Sequence, residues 1–138
     1  MKKYEIIPIG EIKTPFKSRN DAPRQPLYSK GAEGTIEIFK EYSPGLEGIE
    51  NFKYIIVIFY FDRNNFYKLK TIPYGSENER GIFSTRSPHR PNNIGLSVLE
   101  LLGIKENKLK VKDVDMLDKT PVIDIKPYIP EIDIRKYS

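Results

Sequence analysis

The chain contains no cysteine and no tryptophan, and its single histidine is His89. Without cysteine there is no disulfide, no thiolate nucleophile and no thiolate metal site. One imidazole also excludes any site that needs two. The longest apolar run, Tyr54 to Phe61, is far too short to cross a bilayer. The sequence opens Met1-Lys2-Lys3-Tyr4-Glu5 and passes straight into strand-like residues, with no signal-peptide core, so a soluble, cytoplasmic protein without a membrane partner is expected. Gly-x-Gly-x-x-Gly, Walker-type, Gly-x-Ser-x-Gly and His-Glu-x-x-His patterns are all missing. A nucleotide cofactor would have to be held without the usual Rossmann glycines, which counts against a doubly wound dehydrogenase or methyltransferase.

What is there fits one globular unit. A chain of 138 residues with 38% hydrophobic and 30% charged residues has a globular rather than a disordered balance. It is long enough to bury a little under about 70% of the surface exposed when unfolded. A single domain over residues 1–138 is expected, with its core at about 4–133 and a short C-terminal tail. The net charge of +4 is modest but unevenly spread. Lys13, Lys17, Arg19, Arg24 and Lys30 fall in one stretch with one acid, Asp21, and Arg80, Arg86 and Arg90 fall in another with none. Such stretches suit a phosphate-bearing partner, although net charge alone favours ordinary solvated surface.

Periodicity points to a mainly β fold. Tyr4–Ile12 reads as a strand pushed towards an edge by Pro8. The Pro-rich segment Thr14–Lys30 reads as a long loop, and loops of that length in compact domains are usually functional or disordered. Glu33–Lys40 alternates, with Ile36 and Ile38 on one face. Ser43-Pro44 predicts a helix start, Ser as cap and Pro at the first position, with Leu46, Ile49 and Phe52 at helical spacing. Lys53–Phe61 is apolar on both faces and predicts a central strand covered on both sides. Asn64–Glu79 is a polar excursion. Ile94–Ile104 fits a strand through Ile94, Leu96 and Val98 or a helix through Ile94, Val98, Leu101 and Leu102, and Gly95, Ser97 and Gly103 decide for a strand. Gly81–Ser84, Lys108–Met116 and Val122–Lys126 complete the strands. The apolar phase of the segment Lys108–Met116 flips after Val111, predicting a bulge near Asp113. The expected architecture is a single-domain antiparallel β-barrel or strongly curved sheet with short helices, non-Rossmann, because closure disposes of exposed edges.

Two segments resist explanation as packing. In Arg86-Ser-Pro-His-Arg-Pro-Asn-Asn93, two Arg, the only His, two Pro and two Asn sit in eight residues between strands. A plain connection needs turn formers, not a cluster of hydrogen-bonding groups, and the Arg fork suits carboxylate or phosphate. The second, Asp113-Val-Asp-Met-Leu-Asp118-Lys-Thr-Pro121, places three carboxylates beside the predicted bulge. Paired carboxylates serve acid–base chemistry or hold a divalent ion; the plainer reading is that they bond the local backbone.

The ordered motifs Ile9-Gly10, Thr14-Pro15-Phe16, Pro23-Arg24-Gln25, Gly45-Leu46-Glu47-Gly48-Ile49-Glu50, Phe83-Ser84-Thr85-Arg86-Ser87-Pro88-His89-Arg90-Pro91-Asn92, Ile94-Gly95-Leu96-Ser97 and Thr120-Pro121-Val122-Ile123-Asp124-Ile125-Lys126-Pro127-Tyr128 resemble the TrmO/TsaA-like family. The resemblance runs from about Tyr4 to Asp133. It implies a β-barrel that binds S-adenosyl-L-methionine and methylates tRNA at N6 of the threonylcarbamoyl-adenosine at position 37. It also implies a homodimer with the cofactor near the subunit interface. Carried over by position, the cofactor contacts are Pro23, Arg24, Gln25, Asp62, Arg63, Arg86, Leu96, Asp118, Lys119, Thr120 and Pro121. The sequence departs from the family in three places. The apolar strand ends Phe61-Asp62 where members commonly have Phe-His, Lys119 replaces a glycine, and Asn93 replaces a frequent proline. Longer members carry a further C-terminal segment, and its lack here is expected to alter tRNA docking.

Under that resemblance the residues take definite roles. Arg86 or Arg24 clamps the cofactor carboxylate in a bidentate fork, Asp62 or Asp118 balances its positive charge, and groups near Leu96 flank the adenine. His89 or Asn92 assists loss of the N6 proton; for His89, a positioning or phosphate-contacting role is the plainer reading. Arg19 and Arg90 are candidates for tRNA phosphates, with a structural bond in the Pro-rich loop as the plainer role for Arg90. No metal site is expected. Two other functions compete: a non-catalytic S-adenosyl-L-methionine sensor, and an RNA-binding β-barrel that stacks bases on Tyr and Phe.

Overall fold

In the computed structural model, which describes residues 1–136, six strands close into an antiparallel barrel. They are β1 (Gly10–Lys13), β2 (Glu33–Ile38), β3 (Tyr54–Tyr60), β6 (Ile94–Lys105), β7 (Lys108–Lys112) and β8 (Thr120–Pro127). The order around the barrel is β1-β2-β7-β6-β3-β8, closed by pairing of β1 with β8. Two short strands, β4 (Lys70–Thr71) and β5 (Arg80–Gly81), pair with each other outside it. The fold is therefore mainly β and non-Rossmann. Among the described residues no helix is long and apolar enough to cross a membrane.

Period-two alternation fills the barrel. Ile36 and Ile38, Ile55, Val57 and Phe59, and Leu109 and Val111 point inward and are fully or almost fully buried, as small barrels require. Lys108 and Lys110 are exposed and Lys112 is half-buried on the outer face of β7. After Lys112 the strand breaks where the phase change predicted it. Asp113 takes φ 75°, and the N–H groups of Asp113 and Val114 both donate to the Ala32 carbonyl. Two residues thus oppose one, as in a bulge.

Several local expectations need correction. The first strand starts at Gly10, not Tyr4: Pro8 has no N–H to donate, and Ile6 and Ile7 stand exposed ahead of it. Strand β3 is covered on one side only; Ile56 and Ile58 face the half-exposed outside of the barrel. Its apolar outer face reflects β-branched propensity rather than a second layer. The helix expected at Ser43 is two 3₁₀ turns, Lys40–Leu46 and Ile49–Asn51, with Pro44 inside the first. Ser43 caps nothing, since its Oγ donates to the Lys40 carbonyl. The strand expected at Gly81–Ser84 is mostly a 3₁₀ turn, Ile82–Ser84, in which Ser84 Oγ donates to the Gly81 carbonyl at 2.6 Å.

Candidate functional site

Register brings remote segments to one end of the barrel. Lys13 pairs with Thr35, Glu33 with Lys112, and Tyr60 with Ile94. The long loop after β1, the chain leaving β3, the chain entering β6 and the bulge after β7 therefore emerge together. A cleft of about 1090 Å³ opens between them. Ligand pockets typically span about 300–1,000 Å³, so this one has room for a nucleotide-sized molecule and part of a second reactant.

Most of the residues singled out from sequence meet there. Pro23, Arg24, Gln25, Asp62, Arg63, Arg86 and Leu96 line the cleft, as do His89, Arg19 and Arg90. The Pro-Arg-Gln loop and the Arg/His-rich bend thus share one cavity. Asn92, Asp118, Lys119, Thr120 and Pro121 are outside its wall. Asn92 is exposed at φ 68° in the turn that enters β6. Thr120 is buried, and its Oγ1 donates to the Leu117 carbonyl at 2.6 Å. Asp118 accepts from the Thr14 N–H at 2.9 Å and from Lys17 Nζ at 2.8 Å. The Asp118 turn still touches the cleft indirectly, because the Arg63 guanidinium donates to the Asp118 carbonyl.

The bend 85–93 is held by its own side chains. Arg90 Nη1 donates to the Thr85 carbonyl at 2.7 Å and to that of Ser87 at 3.4 Å. Asn93 Nδ2 donates to the Pro88 carbonyl at 2.8 Å and to that of Phe66 at 3.3 Å. The His89 ring stacks on Phe66, centroids 4.6 Å apart and planes 14° apart. Burial, then Arg19 and Lys68, lower its pKa from the usual value. Its Nδ1 is buried without a partner among the described residues. Across the cleft, the Arg24 guanidinium lies 4.5 Å over the Tyr74 ring, a cation–π contact that fixes it near the rim. Burial, then Arg24, lower the pKa of Arg19.

Ser97 and Asp115, two polar residues of the wall, were given no individual role from the sequence. Ser97 is an inward-facing polar residue at the mouth of a largely apolar barrel, 2% exposed. Its Oγ donates to Asp115 Oδ1 at 2.7 Å. Asp115 is the middle carboxylate of the Asp113–Asp118 segment and the only one of the three that lines the cleft. Burial pushes its carboxyl up to about 7 against the Ser97 bond, its own N–H and the Arg86 charge. The apolar alternation of Ile94, Leu96 and Val98 pointed the other way: the structure turns that row outward and buries Ser97 with Leu99.

A family model described as the tRNA-methyltransferase O N-terminal domain matches residues 11–134. An S-adenosyl-L-methionine-binding protein of Archaeoglobus fulgidus is 54% identical over 126 residues, which cover 91% of this chain and 90% of that protein. The tRNA (adenine(37)-N6)-methyltransferase of Mus musculus is 38% identical over 133 residues, 91% of this chain but 31% of that one. Among solved structures, TrmO from Pseudomonas aeruginosa superposes with a TM-score of 0.82 at 35% identity, covering 99% of this chain and 61% of that chain. The chain therefore spans about three fifths of that solved structure.

Proposed function

Because this chain belongs to the tRNA-methyltransferase O N-terminal domain family, we propose that it binds S-adenosyl-L-methionine in the cleft and methylates N6 of adenine 37 in tRNA. The modified nucleoside threonylcarbamoyl-adenosine is the proposed substrate. The observation that carries this reading is the convergence of Pro23-Arg24-Gln25, Asp62-Arg63, Arg86 and Leu96 on one cavity of about 1090 Å³.

The residues suit the cofactor's chemistry. Arg86, exposed at the cleft mouth, and Arg24, fixed over Tyr74, are forks for the carboxylate. Asp62 supplies a countercharge to the ammonium, and Leu96, with Phe59 and Phe61 beside it, offers an apolar wall for the adenine. When bound, the cofactor supplies an activated methyl group, so the protein needs no covalent intermediate. Its own tasks are to align the two reactants, exclude water and accept a proton. Arg19 and Arg90 extend positive charge along the cleft towards tRNA phosphates, and Arg90 also braces the bend. His89, stacked on Phe66, shapes the wall; Asn92 sets the turn into β6. Asp118–Pro121 anchors Arg63 from behind. A homodimer in which that turn approaches the partner's cofactor is part of the proposal.

Incubation with threonylcarbamoylated tRNA and methyl-labelled cofactor is expected to transfer one methyl per tRNA, and none to tRNA lacking the modification. A second reading, a non-catalytic cofactor sensor, is favoured by the position of Asp118–Pro121 off the cleft wall. Tight cofactor binding with no transfer to either tRNA would select it. Absence of cofactor binding would leave an RNA-binding barrel.

A further inference from the structure

One carboxylate lining the cleft, Asp115, has no task in the reading above. Asp115 follows the β7 bulge, and Ser97 reaches it from the first turns of the barrel interior. Ser97 Oγ engages Oδ1 at 2.7 Å, and no other described residue donates to Oδ2. Arg86 is the charged side chain that acts on the carboxylate through space. Oδ2 is not a buried, unpartnered atom, and Asp115 lines the cleft, so that oxygen is open to the ligand space.

We propose that Asp115 is the general base of the methyl transfer, taking the N6 proton of the nucleobase on Oδ2 while Ser97 holds Oδ1. This inference rests on the methyltransferase reading given above. The balance is simple. The N6 electron pair forms the new N–C bond, the methyl C–S bond breaks, and its electron pair returns to sulfur, turning the sulfonium into a neutral thioether. The N6–H pair stays on nitrogen, and the proton goes to the carboxylate.

His89 shares the wall but presents only one of its ring nitrogens. Its Nδ1 is occluded and its ring is pinned against Phe66. Asp115 instead titrates near the pH at which a base works best, since burial raises its proton affinity to about 7. An exocyclic adenine nitrogen is a poor nucleophile until its proton is shared, so a base of that strength has something to do.

The test uses Asp115→Asn, an isostere that keeps an acceptor for Ser97, and Ser97→Ala. Calorimetry should show cofactor affinity of Asp115→Asn within about threefold of wild type. Its single-turnover methylation should fall by about 10²–10⁴-fold, the usual share of a general base, and lose the rise with pH. Independently of turnover, carboxyl NMR of the wild type should show one aspartate titrating near pH 7, absent in Asp115→Asn. In Ser97→Ala that titration and the midpoint of the rate profile should both move to higher pH, because a bond to the charged form is lost. Wild-type rates in Asp115→Asn, or a rate midpoint that ignores Ser97→Ala, would overturn the assignment. A wild type that binds cofactor but methylates nothing would instead overturn the methyltransferase reading, and this inference with it.

Discussion

The Thr14 N–H donates to Asp118 Oδ1 at 2.9 Å across 104 residues of sequence. Thr14 is buried, and its Oγ1 reaches the Met116 carbonyl at 2.8 Å. Two bonds therefore stitch the exit of β1 to the approach of β8, which is where the barrel closes. Lys17 adds an exposed pair to the same carboxylate and, as the largest influence, lowers its pKa. Asp118→Ala leaves the Thr14 N–H unpaired in a buried place, which costs about 1–3 kcal/mol. Denaturant unfolding should register that loss at pH 7. The loss should shrink as pH falls through the native carboxyl pKa, because a lowered pKa contributes stability above it and none well below. A purely cofactor-binding role for Asp118 would leave unfolding of the free protein unchanged.

Gly95 lies against β3 with no room for a side chain. A β-carbon there would sit 2.6 Å from Phe59 and 2.8 Å from Phe61, two rings packed edge to face at 5.1 Å. Both rings and Gly95 line the cleft, so the glycine sets how far the aromatic wall can advance. Gly95→Ala should cost about 1–3 kcal/mol by overpacking and weaken cofactor binding, because Phe59 or Phe61 must move into the cavity. Paired thermal unfolding and calorimetry check this. Unchanged affinity in a folded variant would mean that the rings do not bound the ligand.

How far the sequence could be read follows from which interactions are local. The barrel was legible because period-two alternation in β2 and β7 is a property of neighbouring residues, and the bulge at Asp113 announced itself as a phase flip. The 3₁₀ turns were not: Ser43-Pro44 is as good a helix start as any until the chain is forced to turn between β2 and β3. The candidate site was legible as a set of motifs but not as a surface. Nothing in the linear order separates Arg86, on the cleft wall, from Asn92, six residues on and outside it. Lys119 shows the same limit from the other side. Its φ of 67° is the left-handed conformation that favours glycine, and here the bonds from the N–H groups of Asp118 to Phe16 and of Lys119 to Ile12 hold a lysine in it. Asp115 was hidden among three similar carboxylates; only the fold says which one faces inward.

Asp115 also has a signature in stability that needs no substrate. Its pKa is raised from the usual 3.8 to about 7, so between those values the native state keeps a proton that the unfolded chain has released. The sign follows directly: the contribution is complete below about pH 4 and is lost as pH rises through 7. At about 1.36 kcal/mol per pH unit, the wild type should lose about 2–3 kcal/mol between pH 5 and pH 8 from this group. Asp115→Asn carries no titrating proton, so its unfolding free energy should be flatter, close to wild type below about pH 4 and increasingly above it as pH rises to 8. Parallel curves for the two proteins would show that the carboxyl ionises freely in the fold. A gain at pH 8 would mean that the wild type keeps a carboxylate where an amide would fold better, which is the pattern expected of a group retained for chemistry rather than for stability.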